Sequence, residues 1–166
     1  MPLIRQATPF DAAVVAHHRS AMFHDMGVLP PELVADLEAA TMQYLARALP
    51  LGEYRGWLAS PPTDPDRVVA GAGVQLRQVL PFPRSDSGAA SVAKGRQAIV
   101  LNVYTEPAWR RRGLARALME RVIEWALLEE LDSLVLHASD DGRRLYQELG
   151  FVATNEMRFA EPLAGP

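Results

Sequence analysis

The chain contains no cysteine, which excludes a disulfide framework, thiolate metal sites and a cysteine nucleophile. Nor does any run approach the roughly 18 consecutive apolar residues of a membrane span. The opening "MPLIRQATPFDAA" has no long apolar stretch after its one basic residue, so no secretory signal is read there. Positive charge is scarce as well: 17 Lys and Arg stand against 20 Asp and Glu, for a formal net charge of -3. General affinity for nucleic acid rests on a basic footprint that the whole chain lacks. There is no internal repeat. These absences lead to the expectation of a soluble, cytoplasmic protein with neither a membrane nor nucleic acid as partner.

What is present is a globular composition, 49% hydrophobic and 22% charged, over 166 residues. A chain of this length buries on the order of 68–70% of its unfolded surface, and it is read as a single domain over 1–166. "PLIRQAT" reads as a first strand. Thr8 then suits an N-cap, with Pro9 at the first helical position and Asp11 three residues after the cap. The helix that follows reaches about Asp25, and Phe10, Val14, His17 and Ala21 share one narrow arc, which predicts a core-facing stripe. On that reading His17 is a core histidine, while His18 and His24 are surface or edge residues. A second helix is predicted over 31–49, with Leu33, Leu37, Ala40 and Tyr44 on its buried side.

After "PLGE" the period changes to that of strands. "YRGWLAS" and "RVVAGAGVQLRQ" read as two strands joined by the turn-rich "PPTDPD". The stretch "VLPFPRSDSGAASVAKG", rich in Pro, Gly and Ser, reads as a long loop. "RQAIVLNVYT" is the most strand-like segment, followed by a helix ending near Glu130, the strand "SLVLHA", the short helix "DDGRRLYQELG" closed by Gly150, and a last strand "FVATNEMRF". The order β-α-α-β-β-β-α-β-α-β predicts an α/β (α+β) fold, a mixed sheet with helices on both faces. Trp57, Trp109 and Trp125 are read as packing residues. "GAG" at 71–73 sits inside a strand pattern, where it marks close packing or a bulge rather than a dinucleotide loop.

Three arginines, Arg110, Arg111 and Arg112, stand directly before Gly113 at the mouth of the long helix. A helix N-terminus leaves about four N–H groups unpaired and carries roughly half a positive charge, so a strand running through glycine into such a terminus can cradle phosphate. An exposed basic turn balancing an acidic surface is the plainer alternative. A DNA-recognition helix fits poorly, because the rest of the helix, "MERVIEWALLEE", carries four glutamates.

R-x-x-G-x-A at Arg110, Gly113 and Ala115, after a strand and Pro107, resembles the acyl-CoA pyrophosphate loop of the GNAT superfamily of N-acyltransferases. About thirty residues later, "LVLHASDDGRRLYQELGF" resembles that superfamily's second signature. The resemblance implies a GNAT-type, mostly antiparallel central sheet. It also implies acetyl-CoA as co-substrate, with a small-molecule or peptide amine as acceptor. Val103 and Thr105 would offer backbone groups to the pantetheine arm. Arg110 and the backbone N–H groups of Arg111, Arg112, Gly113, Leu114, Ala115 and Arg116 would hold the pyrophosphate. Ser139 stands where many relatives have asparagine, and Tyr146 matches the tyrosine that commonly protonates the departing thiolate. Asn102 and Tyr104 alternate with the cofactor-side positions of their strand and are read as facing the acceptor. A homodimer is compatible with this reading.

Acyl transfer to nitrogen needs a neutral amine. A lysine-like amine with a pKa of about 10.4 is neutral in roughly one molecule in 2,500 at pH 7, a handicap of about 4.6 kcal/mol. No carboxylate lies within the strand 96–105 to recover it; Glu106, Glu53 and His17 are the candidate bases. No metal site is expected, since no partners complete a set with His17 and His24. The expected activity is therefore acetyl transfer from acetyl-CoA to a primary amine with Tyr146 as general acid. The alternative is a non-catalytic acyl-CoA-binding regulatory domain, which the missing strand carboxylate favours and the tyrosine opposes.

Overall fold

In the computed structural model, which describes residues 1–84 and 90–157, one strand, β6 (Arg96–Thr105), organises the molecule. It lies between β3 (Ala70–Gln78) and β7 (Ser133–Leu136) in a five-stranded sheet of order β1-β2-β3-β6-β7, completed by β1 (Leu3–Gln6) and β2 (Tyr54–Ser60). Neighbours are antiparallel except β6 and β7, which run parallel. α1 (Ala12–Asp25) and α2 (Val34–Leu51) cover one face; α3 (Leu114–Leu128) and α4 (Asp140–Glu148) cover the other.

The α3 face is apolar for a simple periodic reason. Leu114, Leu118, Met119, Val122 and Ala126 recur at helical spacing and are buried, leaving Glu120 and Glu124 outside. They pack on Ala72, Val74, Ala98 and Val100. Leu118 is fully buried, so its truncation to alanine is expected to cost about 2–5 kcal/mol. Trp57 and Trp125 meet there with ring centroids 5.4 Å apart, and Trp109 packs at the edge of the same cluster.

The readings of β1, β2, β3, β6, β7 and α3 match the observed elements closely; four expectations need correction. First, the fully buried residues of α1 are Val15, Ala16, His18 and Ser20; of the predicted stripe, Val14 packs half-buried on the core and Ala21 is half-buried, but Phe10 and His17 are exposed. Thr8 and Asp11 do pair, Asp11 accepting from the Thr8 N–H at 2.7 Å, but they close a separate 3-10 turn, Pro9–Asp11. Its tighter pitch shifts the phase before the α-helix begins, so Phe10 is 98% exposed. Second, α2 buries Thr41, Leu45 and Ala48, while Leu33 and Ala40 are exposed. The Thr41 hydroxyl can enter the core because it donates to the Leu37 carbonyl at 2.7 Å.

Third, the predicted loop 79–95 carries a two-stranded hairpin, β4 (Phe82–Arg84) against β5 (Ser91–Ala93), with residues 85–89 outside the described set. Fourth, residues 151–157 form no strand; Arg158 and Phe159, the end of that prediction, lie outside the described residues. The polar run Thr154–Glu156 breaks the alternation a half-buried strand requires, and Val152 and Met157 are 82% and 94% exposed.

Candidate active site

The site is built where β6 changes phase. Gly71 pairs with Tyr104 and Gly73 with Leu101, so two residues of β6, Asn102 and Val103, oppose the single Ala72. Asn102 absorbs the extra residue with φ +56°, a left-handed conformation that asparagine tolerates better than most. The bulge inverts the alternation. Ala98 and Val100 point to the α3 face, and without the extra residue Asn102 and Tyr104 would follow them. Instead Val103 joins that apolar cluster. Asn102 and Tyr104 turn to α1, meeting Arg19 and His18.

β7 pairs with β6 only from Gln97 to Val100. β7 ends at Leu136, the partner of Val100, leaving the half of β6 with Val103 and Thr105 without a strand partner on that side among the described residues. The Thr105 carbonyl accepts from Arg110 Nε at 3.0 Å, and its hydroxyl is buried with no partner.

At the mouth of α3 the backbone is left-handed twice, at Arg111 (φ +61°) and Gly113 (φ +78°). No backbone N–H from Arg111 to Arg116 donates to a backbone acceptor among the described residues. Alternating hands make a concave nest of donors, and the helix dipole adds to its positive potential. A Cβ on Gly113 would meet nothing within 4 Å, so the nest opens to free space.

The arginine side chains are mostly engaged elsewhere. Arg110 bonds Asp25 of α1 and lies 5.7 Å from the Tyr104 ring centre. Arg112 stacks 4.7 Å over Trp109, and Arg116 bonds Glu148 of α4. The cradle is therefore made of main chain. Leu114 anchors it in the core, and Ala115 is partly buried beside it.

Tyr146 is half-buried on α4, its ring edge-on to Phe151 at 6.0 Å. Burial pushes its hydroxyl pKa above the usual value, so it is protonated at neutral pH. Gly142, one turn earlier, makes room for the ring: a Cβ there would stand 2.8 Å from Cε2. Ser139 caps α4, accepting from the Gly142 N–H at 3.2 Å. The helix ends in a Schellman pair, Phe151 N–H to the Tyr146 carbonyl at 3.0 Å and Gly150 N–H to that of Gln147 at 3.0 Å.

On the opposite face, polar side chains gather around Asn102 and Tyr104 beside the apolar cluster of Val15, Leu45 and Leu58. His18, not His17, is the core histidine: it is 1% exposed, and neither ring nitrogen has a hydrogen-bond partner. It lies on Tyr104 with centroids 5.3 Å apart, over Gly71, where a Cβ would approach its Nδ1 to 3.0 Å. Burial, helped by the neighbouring His17, pushes its pKa down to about 4. Glu106 Oε1 at 3.8 Å from its Nε2 favours the charged ring, but that carboxylate is itself 30% exposed and screened, so desolvation prevails.

His17 is exposed between two carboxylates, Glu38 at 3.6 Å and Glu106 at 3.4 Å. Glu53 instead pairs with Arg47 at 3.3 Å, before β2. "GAG" thus records both a bulge and close packing, since a Cβ on Gly73 would fall 1.8 Å from the Tyr54 hydroxyl. Tyr54, Arg19 and Glu38 were not flagged by sequence motifs; the glycine pair was the available signal. Among the described residues, no group of three or more His, Asp or Glu could hold a metal ion, and no helix is long and apolar enough to cross a membrane.

Solved structures share this architecture. A GCN5-related N-acetyltransferase from Ralstonia eutropha JMP134 is 28% identical, covering 99% of this chain and 100% of that one with a TM-score of 0.83. A predicted acetyltransferase from Clostridium acetobutylicum, solved with acetyl-CoA, is 24% identical, with coverages of 97% and 96% and a TM-score of 0.76. The aminoglycoside N-acetyltransferase AAC(6')-Iy in complex with CoA shares the fold at 16% identity, 99% and 96% coverage and a TM-score of 0.66. No curated protein sequence matches significantly. The sequence profile of the acetyltransferase (GNAT) family matches residues 31–151, most of the chain, and the chain belongs to that family.

Proposed function

We propose that the protein transfers an acetyl group from acetyl-CoA to a primary amine of a small molecule or peptide. The observation that supports this most is the nest of unpaired N–H groups at 111–116 beside the half of β6 that β7 leaves unpaired. Its shape and sign suit a pyrophosphate, and its mouth is open. Bound there, acetyl-CoA would supply the activated thioester. The chain's own part is to hold the diphosphate by main chain from Arg111 to Arg116 and the pantetheine arm along Val103 and Thr105.

The amine nitrogen forms the new C–N bond as the C–S bond breaks, and the Tyr146 hydroxyl gives its proton to the departing sulfur. A phenol whose pKa burial has raised keeps its proton at neutral pH and so has one to give as negative charge develops on the departing sulfur. The acceptor side is the α1 face, where Asn102 and Tyr104 project after the bulge. Glu106 and His17 are the nearest proton acceptors at the end of β6. We read the chain as one domain over 1–166, cytoplasmic, and working without metal or nucleic acid.

The test is titration calorimetry with CoA and acetyl-CoA, followed by thiol release across amino acids, polyamines, aminoglycosides and peptides. Micromolar-range affinity, on the order of -8 kcal/mol, and release with at least one amine are expected. No binding at millimolar ligand would remove the reading. Binding without release from any amine would favour a non-catalytic acyl-CoA-binding domain.

A further inference from the structure

Arg19 is a cation with only neutral neighbours. Its Nη1 donates to Asn102 Oδ1 at 2.7 Å, and its guanidinium lies 4.9 Å over the Phe23 ring. No carboxylate lies within 4.0 Å among the described residues, although Arg5, Arg47, Arg96, Arg110 and Arg116 each have one. Burial desolvates the group, and a desolvated charge without a counter-ion is costly unless something else supplies one.

The guanidinium is also held in place. Asn102 is anchored at the bulge, and its Nδ2 donates to the Tyr54 hydroxyl at 3.4 Å, which turns its carbonyl oxygen toward Arg19. The Phe23 face limits the other degrees of freedom. None of the remaining guanidinium nitrogens is sealed from solvent without a partner. Arg19 thus presents donors in a fixed fork, the geometry that binds carboxylate or phosphate bidentately. It does so at Asn102, on the face opposite the α3 nest, so its anion is not the diphosphate held there.

We propose that Arg19 recognises an anionic group, a carboxylate or a phosphate, on the acceptor, so that the preferred substrates are primary amines that carry a negative charge. This rests on the acetyl-transfer reading above. It predicts selection by charge at the α1 face: an amine whose anion is masked leaves Arg19 desolvated and unpaired, and a polyamine brings a second cation toward it.

The experiment uses matched amines with the full chain: amino acids against their amides, and phosphoethanolamine against ethanolamine. The expected result is a kcat/KM at least about 10²-fold higher for the charged member of one pair, carried mainly by KM. The pair that shows it tells carboxylate from phosphate. Arg19→Gln should bring the ratio to within a few-fold of one, with acetyl-CoA affinity and the thermal midpoint matching the parent. Arg19→Lys should give an intermediate ratio, since it keeps the charge but not the fork.

Asn102→Asp provides a second route, because it gives Arg19 an internal carboxylate at a position where aspartate tolerates the left-handed backbone. It should lower the ratio without removing the arginine. Equal or greater kcat/KM for the neutral members or for spermidine would overturn the proposal, as would an unchanged ratio in Arg19→Gln. If no amine is turned over, acetyl transfer fails but Arg19 can still be tested. The CoA-loaded protein should bind the charged amines, with a shift in the Arg19 Nε–H resonance that the amides do not cause. No saturable binding at 10 mM, an order of magnitude above the weak-affinity range of about 1 mM, would sink it.

Discussion

The two faces of β6 are built on different principles. On the α3 and α4 face, the proposed binding capacity resides in the main chain: a left-handed turn, a helix N-terminus and a strand edge, with side chains such as Leu114 and Trp109 serving as packing. On the α1 and α2 face it resides in side chains, with Arg19 and His18 of α1, Glu38 of α2, Asn102 of β6 and Glu106 just past that strand brought together. A main-chain site is set by local dihedrals and tolerates changes in its side chains. A side-chain site depends on every partner and on the small residues, Gly71 and Gly73, that leave room for them.

Tyr146 is the exception on the main-chain face, so it is the sharpest place to break the comparison. Tyr146→Phe keeps the ring against Phe151 and removes only the proton. Turnover is expected to fall by about 10²–10⁴ with CoA affinity nearly unchanged, and less so with donors whose thiols have a lower pKa. Parent-like turnover under saturating, chemistry-limited conditions would reduce Tyr146 to a packing residue.

His18 tests the other face by pH. Its folded pKa of about 4 lies below the ordinary histidine value of 6.5, so the unfolded chain binds the extra proton between those limits. The stability that follows from a neutral His18 is therefore fully present above about pH 6.5 and is lost as pH falls toward 4, on the order of 3 kcal/mol. His18→Phe should flatten that segment of the curve. Urea midpoints of parent and variant measured at pH 7 and pH 4.5 would show it, and parallel curves would mean that burial does not hold the ring neutral.

Gly113→Val probes the nest with a smaller effect on stability. Gly113 lies just before the helix with φ +78°, so valine meets backbone strain rather than a helix position it could accept. The expected cost is about 1–2 kcal/mol, too little to unfold a typical domain. CoA affinity should drop by more than tenfold, an order-of-magnitude figure for losing the local geometry of the donors. Normal CoA binding by this variant would move the diphosphate elsewhere.

The smallest effect belongs to a pair outside both faces. The Arg5 guanidinium, aided by the Thr8 N–H and hydroxyl, holds the Asp11 carboxyl down to about 2. Its contribution is present above the usual carboxylate pKa and fades as pH falls toward 2. Because Arg5 is half exposed, Asp11→Asn should cost no more than about 1 kcal/mol at pH 7. A loss as large as that for His18 would show that the turn 8–11, and not the polar face, sets the acid sensitivity of α1.

Much of the frame was legible because its signals are local. "YRGWLAS" and "RQAIVLNVYT" coincide with β2 and β6, and Gly150 takes the left-handed turn expected of a helix stop. The phase of α1 was not legible, since the 3-10 turn at 9–11 rotates every later residue and "AHH" is ambivalent between inside and outside. The terminal strand does not form because, after Phe151 packs on Tyr146, Val152 and Met157 stay exposed with no face to bury.

By itself, the sequence determined the order of elements from β1 to α4 apart from the β4–β5 hairpin, the loop-and-tyrosine pair on which the family resemblance rests, and the glycine at the mouth of α3, because each depends on neighbours within a few positions. Tertiary structure alone decided which histidine is buried, that Asn102 and Tyr104 face α1, and that Arg19 stands without a counter-ion. Those outcomes turn on one extra residue in the pairing of β6 with β3 and on which side chains converge from distant segments, and no local period encodes either.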